Sequence, residues 1–62
     1  MTVVEKQIEH GDLCLTLAWD SNRGHIVALY FRDQRIECRS YHNIGAARRG
    51  FRGILRREEM AD

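Results

Sequence analysis

The chain has 62 residues, of which 44% are hydrophobic and 31% charged, and its formal net charge is +1. This length fits one small domain spanning residues 1–62, and the composition argues against a disordered chain. No apolar run approaches the roughly 20 residues of a membrane span. The N-terminal "MTVVEKQIEH" also lacks the apolar stretch of a signal peptide. We therefore expect a cytoplasmic protein.

The first half of the chain predicts two strands and a hairpin loop. "TVVEKQIE" is a weak strand, and "HGD" at residues 10–12 can turn it into the next one. The next segment, "DLCLTLAW", alternates and predicts a half-buried strand. Its inward face is predicted to carry Leu13, Leu15, Leu17 and Trp19. "DSNRG" follows, and its turn formers predict a hairpin loop.

Two further strands are predicted before residue 42. "HIVALYFR" places Val27, Leu29 and Phe31 on the leucine face, with Ile26, Ala28 and Tyr30 behind. "DQ" at residues 33–34 predicts a tight turn. "RIECRSY" is then expected to point Ile36 and Cys38 inward. Its outward residues are expected to be Arg35, Glu37, Arg39 and Tyr41.

A helix is predicted over residues 44–59, capped by Asn43 or, less well, by Ser40. Its apolar residues form one stripe at helical spacing, and this stripe can cover the leucine face of the sheet. The stripe consists of Ile44, Ala47, Phe51, Ile54 and Leu55. The predicted fold is therefore α+β, a small antiparallel β-meander of three to four strands (about 2–41) with one C-terminal amphipathic helix packed on one face.

The charge is distributed unevenly along the chain. Residues 39–57 contain six arginines and no acidic residue, whereas residues 1–38 contain six acidic and four basic residues. One side of the predicted helix, here called the arginine flank, carries Arg48, Arg49, Arg52 and Arg56.

The opposite side of the helix carries Gly50 and Gly53, each of which weakens a helix by roughly 1 kcal/mol relative to alanine. Either something approaches the backbone closely there, whether the protein's own sheet or a partner, or the helix frays or bends. Fraying or bending is the interpretation that the sequence favours.

Catalytic and metal sites are not predicted. His10 with Cys14 and Cys38 with His42 are spaced alike, but a meander puts the two pairs at opposite ends of the sheet. The two cysteines are too few for a disulfide scaffold, and the carboxylates are scattered. We expect no enzyme activity, no metal and no cofactor.

These features predict a small binding module for an anionic partner, either nucleic acid or a protein of a nucleic-acid-handling complex. The expected contacts are the arginine flank and a polar sheet back comprising Tyr30, Arg32, Arg39 and Tyr41. Three alternatives stay open: a phage or mobile-element inhibitor (anti-CRISPR-like or antitoxin-like) that binds a host protein, a homodimer through the uncovered sheet face, and a merely solvated surface.

In the order of its predicted strands and helix, the segment "GHIVALYFRDQRIECRSYHNIGAARRGF" resembles the plant ethylene-response-type DNA-binding domain and the arm-binding domains of phage integrases. The resemblance spans roughly residues 13–57. It implies that the sheet enters a DNA groove. Arg32, Arg35 and Arg39 would then make the contacts.

Overall fold

The computed structural model describes residues 1–60, so residues 61 and 62 of the predicted domain lie outside it. Within this range the predicted fold class is confirmed: four antiparallel strands form one sheet, and one C-terminal helix packs on it. The strands are β1 (Thr2–His10), β2 (Leu13–Asp20), β3 (Gly24–Phe31) and β4 (Gln34–Tyr41), paired in the order β1-β2-β3-β4. The helix, α1 (Ile44–Arg57), ends slightly before the predicted boundary near residue 59.

The core lies between the helix and the leucine face of the sheet. Leu15 pairs with Leu29, Leu17 pairs with Val27, and all four side chains are buried. The predicted apolar stripe of the helix covers them, and its innermost residue, Ala47, is fully buried. Residues Phe51, Ile54, Leu55 and Met60 complete the buried cluster.

The helix begins where the cap residue predicts. The Asn43 side chain accepts a hydrogen bond of 2.8 Å from the backbone N–H of Ala46, so Asn43 and not Ser40 is the N-cap.

Gly50 lies directly against the Tyr41 ring, and a methyl group at this position would overlap the phenol oxygen. The structure therefore explains Gly50 by close approach of the protein's own sheet. Nothing lies within 4 Å of the Cβ position of Gly53.

The predicted faces of β4 are wrong beyond Arg35, which pairs with Tyr30 on the predicted outward side. The hairpin turns at Arg32 and Asp33, both with left-handed φ (50° and 67°), and not at residues 33–34. A register irregularity then follows between Leu29 and Tyr30, so Glu37 pairs with Leu29 on the helix side of the sheet. Because a shift of one residue exchanges the two faces of a strand, Cys38 lies on the opposite side. Ile36 is 57% exposed and not part of the core.

The side of the sheet away from the helix, here called the open face, carries mostly small or apolar side chains. Cross-strand partners define its rows. One row runs Val4, Ala18, Ile26 and Ser40; the next runs Gln7, Thr16, Ala28 and Cys38; the third runs Glu9, Cys14, Tyr30 and Arg35.

Candidate functional site

All four residues of the arginine flank are exposed. Arg48, Arg52 and Arg56 follow one another at intervals of four residues, which places them in a row about 12 Å long on the helix surface. The N-cap of Asn43 fixes where the helix starts, and the buried stripe fixes its rotation. The row therefore borders the side of the helix that faces β1 and β2.

The arginine flank has no acidic partner within the described fold. Among residues 1–60 none of its four members forms a salt bridge, and the first helical turn contains no acidic residue. By contrast, Arg32 is paired with Asp12 at 3.3 Å and Arg57 with Glu37 at 2.5 Å. Arg23 and Arg35, outside the helix, also form no salt bridge within residues 1–60. Four uncompensated positive charges thus lie close together on one surface.

A groove with an apolar floor runs beside this row. A depression of about 270 Å³ is lined by Leu17, Phe51 and Leu55, and its rim carries Arg48, Arg52 and Lys6. A second depression of about 410 Å³ shares Arg52 and Leu55 with the first and extends to Arg56, Glu59 and Met60. The groove therefore combines an apolar strip with a mostly basic rim that also carries the carboxylate of Glu59.

Lys6 is a member of this site that the alternation of β1 does not reveal. The pairing shifts between Val4 and Lys6, and this shift sets Lys6 opposite Leu17 on the helix side. Its ammonium group lies 5.7 Å from the centroid of the Phe51 ring, within the range of a cation–π contact. An irregularity of this kind has no signal in "VVEKQI".

The other side of the helix is tied to β4 by an ion pair. Arg57 donates to both carboxylate oxygens of Glu37, at 3.3 and 2.5 Å, and its Nε donates to Glu58 at 2.9 Å. The hydrogen bond from Arg57 holds the pKa of Glu37 below its ordinary value, and the same pairing raises the pKa of Arg57. Arg57 is therefore engaged within the fold.

The structure does not bring the predicted polar sheet back together. Tyr41 packs against the core and Gly50, and Arg39 lies on the helix side with its Nε 3.8 Å from Glu37. Arg32 sits in the β3–β4 turn, paired with Asp12, with its guanidinium 5.2 Å from the centroid of the Phe31 ring. Of the four residues, Tyr30 alone lies on the open face, because the irregularity in β4 turns Arg39 and Tyr41 to the helix side and Arg32 lies in the turn.

The surroundings of the cysteines bear on nucleophilic chemistry. Burial, and after it the carboxylates of Glu9 and Asp33, raise the pKa of the Cys14 thiol, which disfavours the nucleophilic thiolate. Both cysteines are free thiols. Within residues 1–60, no three His, Cys, Asp or Glu side chains lie close enough together to hold a metal ion.

Comparison of the chain with protein-family models, curated protein sequences and solved structures found no match. In the part of the chain that the structure describes, no helix is long and apolar enough to cross a membrane. The arginine flank and its groove are therefore the features on which a functional proposal can be built.

Proposed function

We propose that this chain is a small binding module, with no catalytic role, that holds an anionic partner on the arginine flank. The observation that carries the proposal is the set of four exposed helix arginines without a salt-bridge partner in residues 1–60. Like charges at a spacing of four residues destabilise a helix, so an external anion would remove a cost that the fold itself leaves in place. We propose the cytoplasm as its location.

The first candidate partner is the phosphate backbone of a nucleic acid. Guanidinium groups bind phosphate in a bidentate manner, and a row of three along one helix can follow one strand. Phosphate contacts fix position without reading sequence. Because the expected contacts are to phosphates, we expect binding without strong sequence preference. Phe51 is 3% exposed, so the groove also offers no aromatic ring for base stacking.

The second candidate is an inhibitor of the phage or mobile-element type that binds an acidic segment of a host protein. The apolar floor formed by Leu17, Phe51 and Leu55 favours it, because a groove with an apolar strip and a basic rim suits an amphipathic acidic segment. Such a complex depends less on salt than a phosphate complex does.

The test is fluorescence anisotropy with labelled single- and double-stranded DNA and RNA, and in parallel with a leucine-containing acidic peptide, at about 50 and 200 mM salt. If the arginine flank neutralises about four phosphates, the higher salt should weaken nucleic-acid binding by roughly a hundredfold. The peptide should lose far less affinity if the second candidate is correct. Absence of binding to every probe at the lower salt would contradict the proposal.

A matched pair of variants locates the surface. Arg52→Ala should weaken binding and lower the slope of log K against log salt by about one, because one phosphate contact is lost. Arg23→Ala makes the same change of charge in the β2–β3 loop and should leave the affinity unchanged. Equal losses in the two variants would show that net charge, and not the arginine flank, governs binding.

A further inference from the structure

We propose that the open face of the sheet is the interface of a symmetric dimer, and that two copies pack sheet against sheet with their helices outside. This inference is independent of the arginine flank, which lies on the other side of the molecule. It depends on four properties of the open face: its lack of central charge, its area, the order of its rows and the charges at its rim.

The centre of the open face carries no charged side chain. β2 contributes Cys14, Thr16 and Ala18, and β3 contributes Ile26, Ala28 and Tyr30. Val4, on an outer strand, is 56% exposed. A neutral apolar centre lets two identical surfaces meet without like-charge repulsion, which the arginine flank could not do.

The area suffices for a small specific dimer. Four strands about 4.8 Å apart, one of nine residues and three of eight at about 3.3 Å per residue, give a face of roughly 500 Å². Two such faces bury roughly 1,000 Å², the size at which specific protein interfaces begin. One face is also roughly a tenth of the accessible surface of 4397 Å², as is usual for small proteins.

The rows of the open face are self-complementary about a two-fold axis parallel to the strands. Such an axis sets β2 of one copy opposite β3 of the other. Each row of one copy then faces the same row of the second copy. Ile26 then meets Ala18 of the second copy, and Tyr30 meets Cys14, so each large side chain faces a small one. An axis across the strands would instead set Ile26 against Tyr30, two large side chains.

The charges at the rim fit the same axis. Glu9 on β1 and Arg35 on β4 are the two ends of one row, separated within a chain by the width of the sheet. The two-fold axis brings Glu9 of each copy opposite Arg35 of the other. Two ion pairs at the rim would therefore fix the direction of packing. Aligned sheets cross at about 30°, so the central rows are the ones held most closely.

The experiment is sedimentation velocity of the purified chain from about 1 to 100 µM under reducing conditions, since both cysteines lie on the open face. We expect a monomer–dimer equilibrium in this range. Ile26→Glu places a charge in the centre and should raise the dimer Kd at least about tenfold. Gly53→Glu adds the same charge on the outer side of the helix and should leave Kd unchanged.

A charge exchange tests the geometry even if Ile26→Glu unfolds the chain. Glu9→Arg and Arg35→Glu alone should each raise the dimer Kd by roughly threefold or more, and the double variant should recover the original value. A monomer at 100 µM, or a dimer that responds to Gly53→Glu as strongly as to Ile26→Glu, would overturn the proposal. A double variant whose dimer Kd is higher than that of both single variants would overturn the proposed axis.

Discussion

At the scale of single residues, the two glycines of the helix differ in what faces them. Gly53→Ala should raise the free energy of unfolding by roughly 0.5–1 kcal/mol, because it adds helix propensity in open space. Gly50→Ala gains the same propensity but must displace the Tyr41 ring, and such overpacking costs about 1–3 kcal/mol. Urea denaturation should therefore show Gly50→Ala at least about 1 kcal/mol less stable than Gly53→Ala. Equal stabilities would mean that the Tyr41 contact is loose.

Glu37 is the residue from which a pH dependence follows. Its carboxyl has a pKa below the ordinary 4.5 because Arg57 donates hydrogen bonds to it, so the folded state binds the proton less readily than the unfolded state. The stabilisation is complete above about pH 4.5 and is lost as the pH falls through the lowered value. Glu37→Gln should lower the thermal midpoint at pH 7 and have little effect near pH 2. An equal difference at both pH values would contradict this.

Residue chemistry also shows which parts of the site the sequence could predict. The exposure of Arg48 and Arg52 follows from helical spacing once the apolar stripe is identified, and the structure has both exposed. The orientation of Arg39 and Tyr41 could not be predicted, because it depends on the register irregularity that follows Arg35 in β4. Such an irregularity has no signature in "RIECRSY", so strand alternation placed Tyr41 on the wrong face.

At the scale of elements, the helix depends on its cap. Asn43→Ala removes the acceptor for the Ala46 N–H and should lower the free energy of unfolding by about 1 kcal/mol. Ser40→Ala is the control, because Ser40 is exposed and does not cap the helix. Chemical denaturation of both variants checks the difference. A larger loss in Ser40→Ala would show that the helix begins elsewhere.

The like charges of the arginine flank should destabilise the helix, and binding of an anionic partner should remove this destabilisation. Arg52 lies four residues from both Arg48 and Arg56, and each like-charge pair of this kind destabilises a helix by about 0.2–0.5 kcal/mol. Arg52→Gln keeps the helix propensity and should raise the thermal midpoint while weakening binding of the anionic probe. A variant that loses both stability and binding would indicate that Arg52 has a structural role.

At the scale of the whole molecule, the proposed dimer links stability to concentration. Since association stabilises the folded state by mass action, the thermal midpoint of the wild-type chain should rise as its concentration is raised from about 1 to 100 µM. Ile26→Glu should show a thermal midpoint that depends less on concentration, because its dimer Kd is higher. Calorimetry at several concentrations checks this, and a constant midpoint in the wild-type chain would count against the dimer.

The strand order carries a consequence for how the chain folds. Each strand pairs with its neighbours in sequence, and short turns join them, so no pairing requires the closure of a long loop. The helix follows the last strand directly and contacts β2, β3 and β4. Chains with such local connections cross a low entropic barrier. We expect this one to refold in a single phase within about milliseconds, a speed that stopped-flow fluorescence of Trp19 would measure.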